Sequence, residues 1–165
     1  MNSTALLDIF GRRLLEELQT NARLSLAELG RRIGLSPTAT AERMKQMEEA
    51  GIVHGYSVEI DREALGLEVM AFIRMSCGGQ NYHRLLDYVQ TLEEVRECHH
   101  LTGGDDLLLK VTTEDMAHLE ALIEALLPYG NPVTSVVLST PVERRKYAVN
   151  GKLTTVSRRL APHRR

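Results

Sequence analysis

Tryptophan is missing from this 165-residue chain, and aromatic residues make up only 4% of it. Its cores must therefore be built from Leu, Ile, Val, Met and Ala. Cysteine is scarce too. Cys77 and Cys98 are the whole supply, which excludes a disulfide framework and reads as reduced thiols of a cytoplasmic protein. Long apolar runs are lacking. The first apolar stretch is broken by Asp8, Arg12, Arg13, Glu16 and Glu17, which excludes a signal-peptide core, and nothing elsewhere resembles a membrane span. There is no GxSxG nucleophile turn and no Walker-type phosphate loop. No catalytic residue, cofactor or metal is assigned. What remains, 43% hydrophobic and 25% charged residues, is the make-up of a globular protein of one medium or two small domains.

The formal charge of −2 conceals an asymmetry. Residues 1–141 carry 12 Lys/Arg against 21 Asp/Glu, a balance of −9, and residues 142–165 carry 8 against 1, a balance of +7. A basic tail on an acidic body is either a solvated segment or an arm that attracts a polyanion without needing a defined site.

The first half reads as three helices. Leu7, Phe10, Leu14, Leu15 and Leu18 form one stripe over about Asp8–Thr20, and Gly11 inside it is expected to weaken the helix by roughly 1 kcal/mol. Ser25-Leu26-Ala27-Glu28 is a capping box: the Ser25 hydroxyl accepts from the Glu28 N–H, and the Glu28 carboxylate reaches back. The second helix turns Leu26, Leu29 and Ile33 inward and ends at Gly34. Ser36 then caps a third helix with Pro37 at its first position. Thr40, Met44 and Met47 face its core, and Gly51 ends it. Two helices joined by a Gly-Leu-Ser turn make a helix-turn-helix. Tyr56, Val58 and Ile60 alternate as a short wing strand would.

The second half changes period. Val69–Cys77 is a strand; Tyr82, Leu85, Leu86, Val89 and Leu92 are spaced as an amphipathic helix; Val95–Leu101 and Asp106–Thr112 are strands joined at Gly103-Gly104-Asp105. Thr113 is expected to cap a helix turning Met116, Leu119, Leu122, Ile123 and Leu126 inward, and Val133–Thr140 is the fourth strand. The order β-α-β-β-α-β is a ferredoxin-like sandwich. The expected fold is therefore α+β: a winged helix-turn-helix over 1–60, a linker over 61–68, a ferredoxin-like oligomerisation and ligand-sensing domain over 69–141, and a basic tail over 142–165. Apolar residues on both faces of the outer strands call for a second copy of the sheet.

The third helix is the main candidate for function. Opposite its core side it presents Thr38, Ala41, Glu42 and Lys45, a stripe of short or hydrogen-bonding groups suited to a major groove. Arg23, Arg31, Arg32 and Arg43, with the cap residues Ser25 and Ser36, surround it as phosphate contacts that position without specifying. The bland alternative is the solvated face of an ordinary three-helix bundle. In the second half, Thr102, Gly103, Gly104, Asp105 and Asp106 combine backbone N–H groups for an anion with carboxylates for an ammonium group, the two ends of a free amino acid. The same residues also suit a plain hairpin turn. Cys98, His99 and His100 invite a metal reading, but adjacent strand residues point to opposite faces and no second cluster completes a ligand set.

Leu24-Ser25, Leu29, Gly34-Leu35-Ser36-Pro37-Thr38, Glu42-Arg43, Met47-Glu48, Gly51-Ile52 and Gly55-Tyr56 resemble the reader domain of the leucine-responsive regulatory protein/AsnC (feast–famine) family. Glu97-Cys98-His99 and Thr102-Gly103-Gly104-Asp105-Asp106-Leu107-Leu108-Leu109-Lys110 are similar to that family's ligand-sensing domain. The resemblance covers about residues 7–141. It implies a prokaryotic, nucleoid-associated transcription regulator that binds double-stranded DNA, dimerises through its C-terminal sheets and assembles further to tetramers or octamers, with an amino acid bound between subunits as effector. The chain departs from the family pattern at Gly11, usually acidic there, in lacking an aromatic residue in the glycine turn, and in its longer basic tail. Two alternatives stand beside this reading. One is an architectural DNA-binding protein without an effector. The other is an enzyme similar to tetrapyrrole decarboxylases of the same architecture, with His99 or His100 acting on a carboxylate.

Overall fold

The computed structural model describes residues 3–149. Most of the basic tail, residues 150–165, lies outside the described residues. The chain forms two compact units, one running to Val58 and taking up the chain again from Arg144, the other spanning Glu59–Glu143.

The first unit is helical: α1 (Ser3–Leu6), α2 (Ile9–Thr20), α3 (Leu26–Ile33) and α4 (Pro37–Glu49). Each of the longer three starts at a side-chain cap. The Asp8 carboxylate accepts from the Gly11 N–H at 2.9 Å, Ser25 Oγ from the Glu28 N–H at 3.2 Å, and Ser36 Oγ from the Ala39 N–H at 3.2 Å, each satisfying an N–H that the helix itself leaves unpaired. Leu6, Leu14, Leu18, Leu29, Ile33 and Met47 meet in one core.

Several expectations need correction here. Gly11 is not a tolerated weakness in α2. It is buried, and a Cβ added there would lie 1.9 Å from the Leu6 carbonyl oxygen and 2.6 Å from Met47 Cε, so the end of α1 and the tip of Met47 come together only because no side chain intervenes. Only half of the capping box forms, because the Glu28 carboxylate turns instead to Arg31 and Arg32. Leu26 is 40% exposed rather than inward. The wing is not a strand. Residues 53–60 run without strand pairing, and Tyr56, Val58 and Ile60 are exposed, since alternation makes a strand only where an edge offers hydrogen bonds.

The second unit is a four-stranded antiparallel sheet, β1 (Val69–Ser76), β2 (Val95–His100), β3 (Leu107–Thr113) and β4 (Asn131–Val136), in the order β2-β3-β1-β4. Helices α5 (Gly79–Val89) and α6 (Met116–Leu126) are the crossovers. Ile73 of β1 stands opposite Leu109 of β3 and Thr134 of β4. This register puts Ala71, Ile73, Met75, Leu107, Leu109 and Val111 on one face, where they are fully buried with Leu85, Val89, Leu119, Leu122 and Leu126 of the helices. A period of two then leaves Met70, Phe72, Arg74, Leu108, Lys110 and Val133 on the other face, half-buried or exposed.

The ferredoxin-like order holds, with shifts at the ends. Asp115, not Thr113, caps α6, accepting from the His118 N–H at 2.8 Å; Thr113 is instead the buried end of β3. Met116, expected inward, is 57% exposed. The fourth strand begins earlier and ends sooner than expected, after which the Val137 N–H still reaches the Met70 carbonyl at 2.8 Å. Among the described residues, no helix is long and apolar enough to cross a membrane.

Candidate nucleic-acid interface and effector loop

The geometry of the reader is set where α3 passes the turn into α4. Gly34 closes α3 in the left-handed region, φ 82°, and its N–H and that of Leu35 both donate to the Gly30 carbonyl at 2.8 and 2.9 Å. The turn therefore folds back onto Gly30. A Cβ at that position would lie 2.5 Å from the Leu35 carbonyl oxygen and 3.0 Å from Thr40 Oγ1. Thr40 itself is fully buried and donates its hydroxyl to the Ser36 carbonyl at 2.9 Å. With Thr40 and Met47 inward, α4 presents Thr38, Glu42 and Lys45 to solvent, with Ala41 half-buried among them. Glu42 accepts from Gln46 Nε2 at 2.9 Å, and Lys45 Nζ stands 3.8 Å from Glu49 with 68% of its side chain exposed. These are exposed, weakly held side chains that a duplex can recruit at little cost.

The cations around this face differ from one another. Arg31 grips Glu28 with two hydrogen bonds, at 2.7 and 2.9 Å, and Arg32 bridges Glu28 and Glu17, at 2.7 and 2.8 Å. Hydrogen bonds from Arg31 and then Arg32 hold the Glu28 carboxyl down at about 2. Arg43 is ion-paired with Asp8, with only 19% of its side chain exposed, and this hydrogen bond lowers the Asp8 pKa. Arg23 alone of the four expected phosphate contacts has no acidic partner among the described residues. Ser25 and Ser36 use their hydroxyl oxygens as caps, which leaves each O–H proton to donate outward.

In the second unit, Leu101–Asp106 joins β2 to β3. Thr102, Gly103 and Gly104 are exposed, with Gly103 at φ 122°. The two aspartates have different tasks. Asp106 is structural: its N–H donates to the Met75 carbonyl at 2.8 Å, and its carboxylate accepts from the Cys77 N–H at 2.6 Å. Asp105 accepts from Ser76 Oγ at 2.9 Å and lies 3.8 Å from the Arg74 guanidinium. A cation and an anion thus stand together at the end of the sheet face turned away from α5 and α6, the charge pair that a zwitterion complements. Sequence reasoning does not reach Arg74 and Ser76. Their alternation in β1 is the available signal, but only the strand order brings them to the β2–β3 loop.

The histidine cluster disperses. His99 and Lys110 share Glu97, at 3.0 and 2.9 Å, while His100 meets Tyr82 of α5. Burial raises the Cys98 thiol pKa. Among the described residues, no three His, Cys, Asp or Glu are placed to hold a metal.

Comparison with known proteins brings both units under one family. Residues 7–48 match the AsnC-type helix-turn-helix domain, and residues 70–147 match the Lrp/AsnC ligand binding domain. The HTH-type transcriptional regulator LrpC of Bacillus subtilis is 36% identical over 81% of this chain and 92% of its own length. The chain belongs to the Lrp/AsnC family. The leucine-responsive regulatory protein of Escherichia coli is 37% identical over 84% of this chain and 88% of its own. The structure of B. subtilis LrpC superposes with a TM-score of 0.79 at 34% identity, covering 83% of this chain and 98% of that one. A Neisseria meningitidis transcriptional regulator solved in complex with L-Met gives 0.81 at 32% identity, covering 87% and 97%.

As an Lrp/AsnC protein, this chain is a DNA-binding transcription regulator: an N-terminal helix-turn-helix and a C-terminal ligand-binding domain. These relatives are transcription regulators rather than enzymes, which removes the decarboxylase alternative.

Proposed function

We propose that the outer face of α4 reads base edges in a DNA major groove, with Thr38, Ala41, Glu42 and Lys45 as the reading residues. One observation carries this: the stripe opposite Thr40 and Met47 is uncovered, in a helix locked to its neighbour by the Gly30 turn. Glu42 accepts from a cytosine amino group, and Lys45 donates to a guanine or a phosphate. Arg23, Ser25, Arg31, Arg32 and Ser36 hold the phosphates. Arg23 is ready as it stands. Arg31 and Arg32 exchange Glu28 for phosphate oxygens, and Arg43 contributes mainly by fixing α4 to Asp8.

The uncovered sheet face carrying Met70, Phe72, Leu108 and Val133 joins a second copy of the chain, so that two α4 helices address two half-sites. The effector is an amino acid or a related small metabolite. Its ammonium group goes to Asp105, and its carboxylate to Arg74 and the N–H groups of Gly103 and Gly104. The L-Met complex of the N. meningitidis relative supports that ligand class, and so does the Arg74–Asp105 pair. The test is Lys45→Glu: specific retardation of a duplex selected by the protein from a random pool disappears while the oligomer, measured by light scattering, is unchanged. Retained specific binding would remove α4 from the reading role.

A further inference from the structure

Resting on the DNA-binding reading, we propose that Arg145–Val149 is a strap of the reader unit that lays Arg145 and Lys146 against the phosphates flanking the bound site. The reader needs such a source of charge. Residues 1–58 carry seven Lys/Arg and seven Asp/Glu, so they are formally neutral, and Arg31, Arg32 and Arg43 are each matched by a carboxylate. Residues 59–143 carry five Lys/Arg against 15 Asp/Glu. Net positive charge resides only in residues 144–165, with eight Lys/Arg and no acid. Affinity for a duplex depends on cations that displace its counterions, so this segment has to lie close to the reader to serve it.

The structure fastens the start of that segment to α2. The Gln19 side-chain amide pairs with both backbone groups of Tyr147, accepting from its N–H at 2.7 Å and donating to its carbonyl at 3.3 Å. Lys146 Nζ donates to Thr20 Oγ1 at 3.0 Å, and Arg12 donates to the Val149 carbonyl. The strap thus runs from the end of α2 back toward its start. Apolar burial does not explain it, because Tyr147 is 88% exposed; polar pairing holds it. Its cationic end is at Thr20, where the chain enters the turn that carries Arg23 and leads to the Ser25 cap. Lys146 therefore extends the phosphate-contact set from the α3 entrance around the end of α2.

The test compares the wild type, Arg145→Ala/Lys146→Ala and Gln19→Ala on one duplex, selected by the full chain from a random pool, over a range of salt concentrations. Thermal melting checks that each variant is folded. The slope of log K against log salt becomes shallower by roughly 0.9 for each phosphate that is no longer neutralised. The double variant flattens the slope, and so, to a smaller extent, does Gln19→Ala, although it removes no charge, because Tyr147 is then released and the strap keeps only its Thr20 and Arg12 contacts. Hydrogen exchange reports the fastening directly: the Tyr147 amide is protected in the wild type and exposed in Gln19→Ala. An unchanged slope in the double variant overturns the proposal. So does a Tyr147 amide that exchanges as in an unfolded peptide in the wild type. A selection in which the full chain enriches no duplex overturns the DNA reading itself.

Discussion

Replacing Gly30 by Ala sets two effects of known size against each other. Gly sits inside α3, so alanine removes a helix-propensity penalty of about 1 kcal/mol. Its Cβ, however, arrives 2.5 Å from the Leu35 carbonyl oxygen and 3.0 Å from Thr40 Oγ1. The first of these is backbone, so no rotamer change relieves it, and the hydroxyl of buried Thr40 is itself committed to Ser36. Overfilling a packed site costs roughly 1–3 kcal/mol, and a clash with backbone belongs at the upper end. The net loss is therefore about 1–2 kcal/mol, a lowering of roughly 5–10 °C in the melting of a unit this small. The size of the destabilisation is less informative than its form. The turn relaxes by moving α4 away from α3, so duplex affinity falls even at temperatures where the variant is fully folded. Calorimetry and fluorescence anisotropy on the full chain read the two effects separately. A Gly30→Ala protein that melts higher than wild type, as propensity alone requires, and binds DNA equally well would refute the reasoning.

Two further outcomes follow from the charges. Because Arg31 and Arg32 lower the Glu28 pKa from 4.5 to about 2, the stabilisation from this cluster is complete above about pH 4.5 and disappears as pH falls toward 2. In the DNA complex the arginines turn to phosphates and the Glu28 pKa rises, which carboxylate NMR titration of free and bound protein measures; an unchanged value would mean that Arg31 and Arg32 stay with Glu28. For the effector, a melting screen of the twenty amino acids against the wild type should return at least one that stabilises by roughly 2.7 kcal/mol at 100 times its dissociation constant. That shift should vanish in Asp105→Ala, and a flat screen would point to a regulator without an amino-acid effector.

Local chemistry was the most legible part of the sequence. The Ser25 and Ser36 caps, the Gly34 stop, the inward Leu14 and Leu18 of α2, Leu29 and Ile33 of α3 and Leu85 and Val89 of α5 each depend on residues within a few positions of one another, so spacing alone reveals them; Leu92, counted in the α5 stripe, lies past the end of that helix. The misplaced residues share a cause. Leu26 and Met116 are both the first residue after a cap; periodicity assigns them to the stripe, but at the helix start 40% and 57% of each stays exposed. Glu28 had two suitors, the Ser25 N–H and two arginines three and four residues on, and the charged donors won. Gly11 and Gly30 hid their purpose because a close approach is a property of the other element: Leu6 and Met47 in one case, Leu35 and Thr40 in the other. The wing and the Arg74–Asp105 pair depend on what stands across a strand, which no local pattern encodes. At the candidate site, the exposed stripe of α4 was readable in advance, whereas the pairing of Arg32 with Glu17 and of Arg43 with Asp8, each across two elements, was not.

The most direct measurement is the ratio of affinities for a selected duplex and a mixed-sequence duplex of equal length, in the wild type and in Lys45→Glu. A base-edge contact is worth roughly 1–3 kcal/mol of discrimination, so the ratio should collapse by about 5- to 150-fold or more once a repelling carboxylate replaces the ammonium group. Equal ratios in the two proteins would mean that sequence is read somewhere other than the outer face of α4.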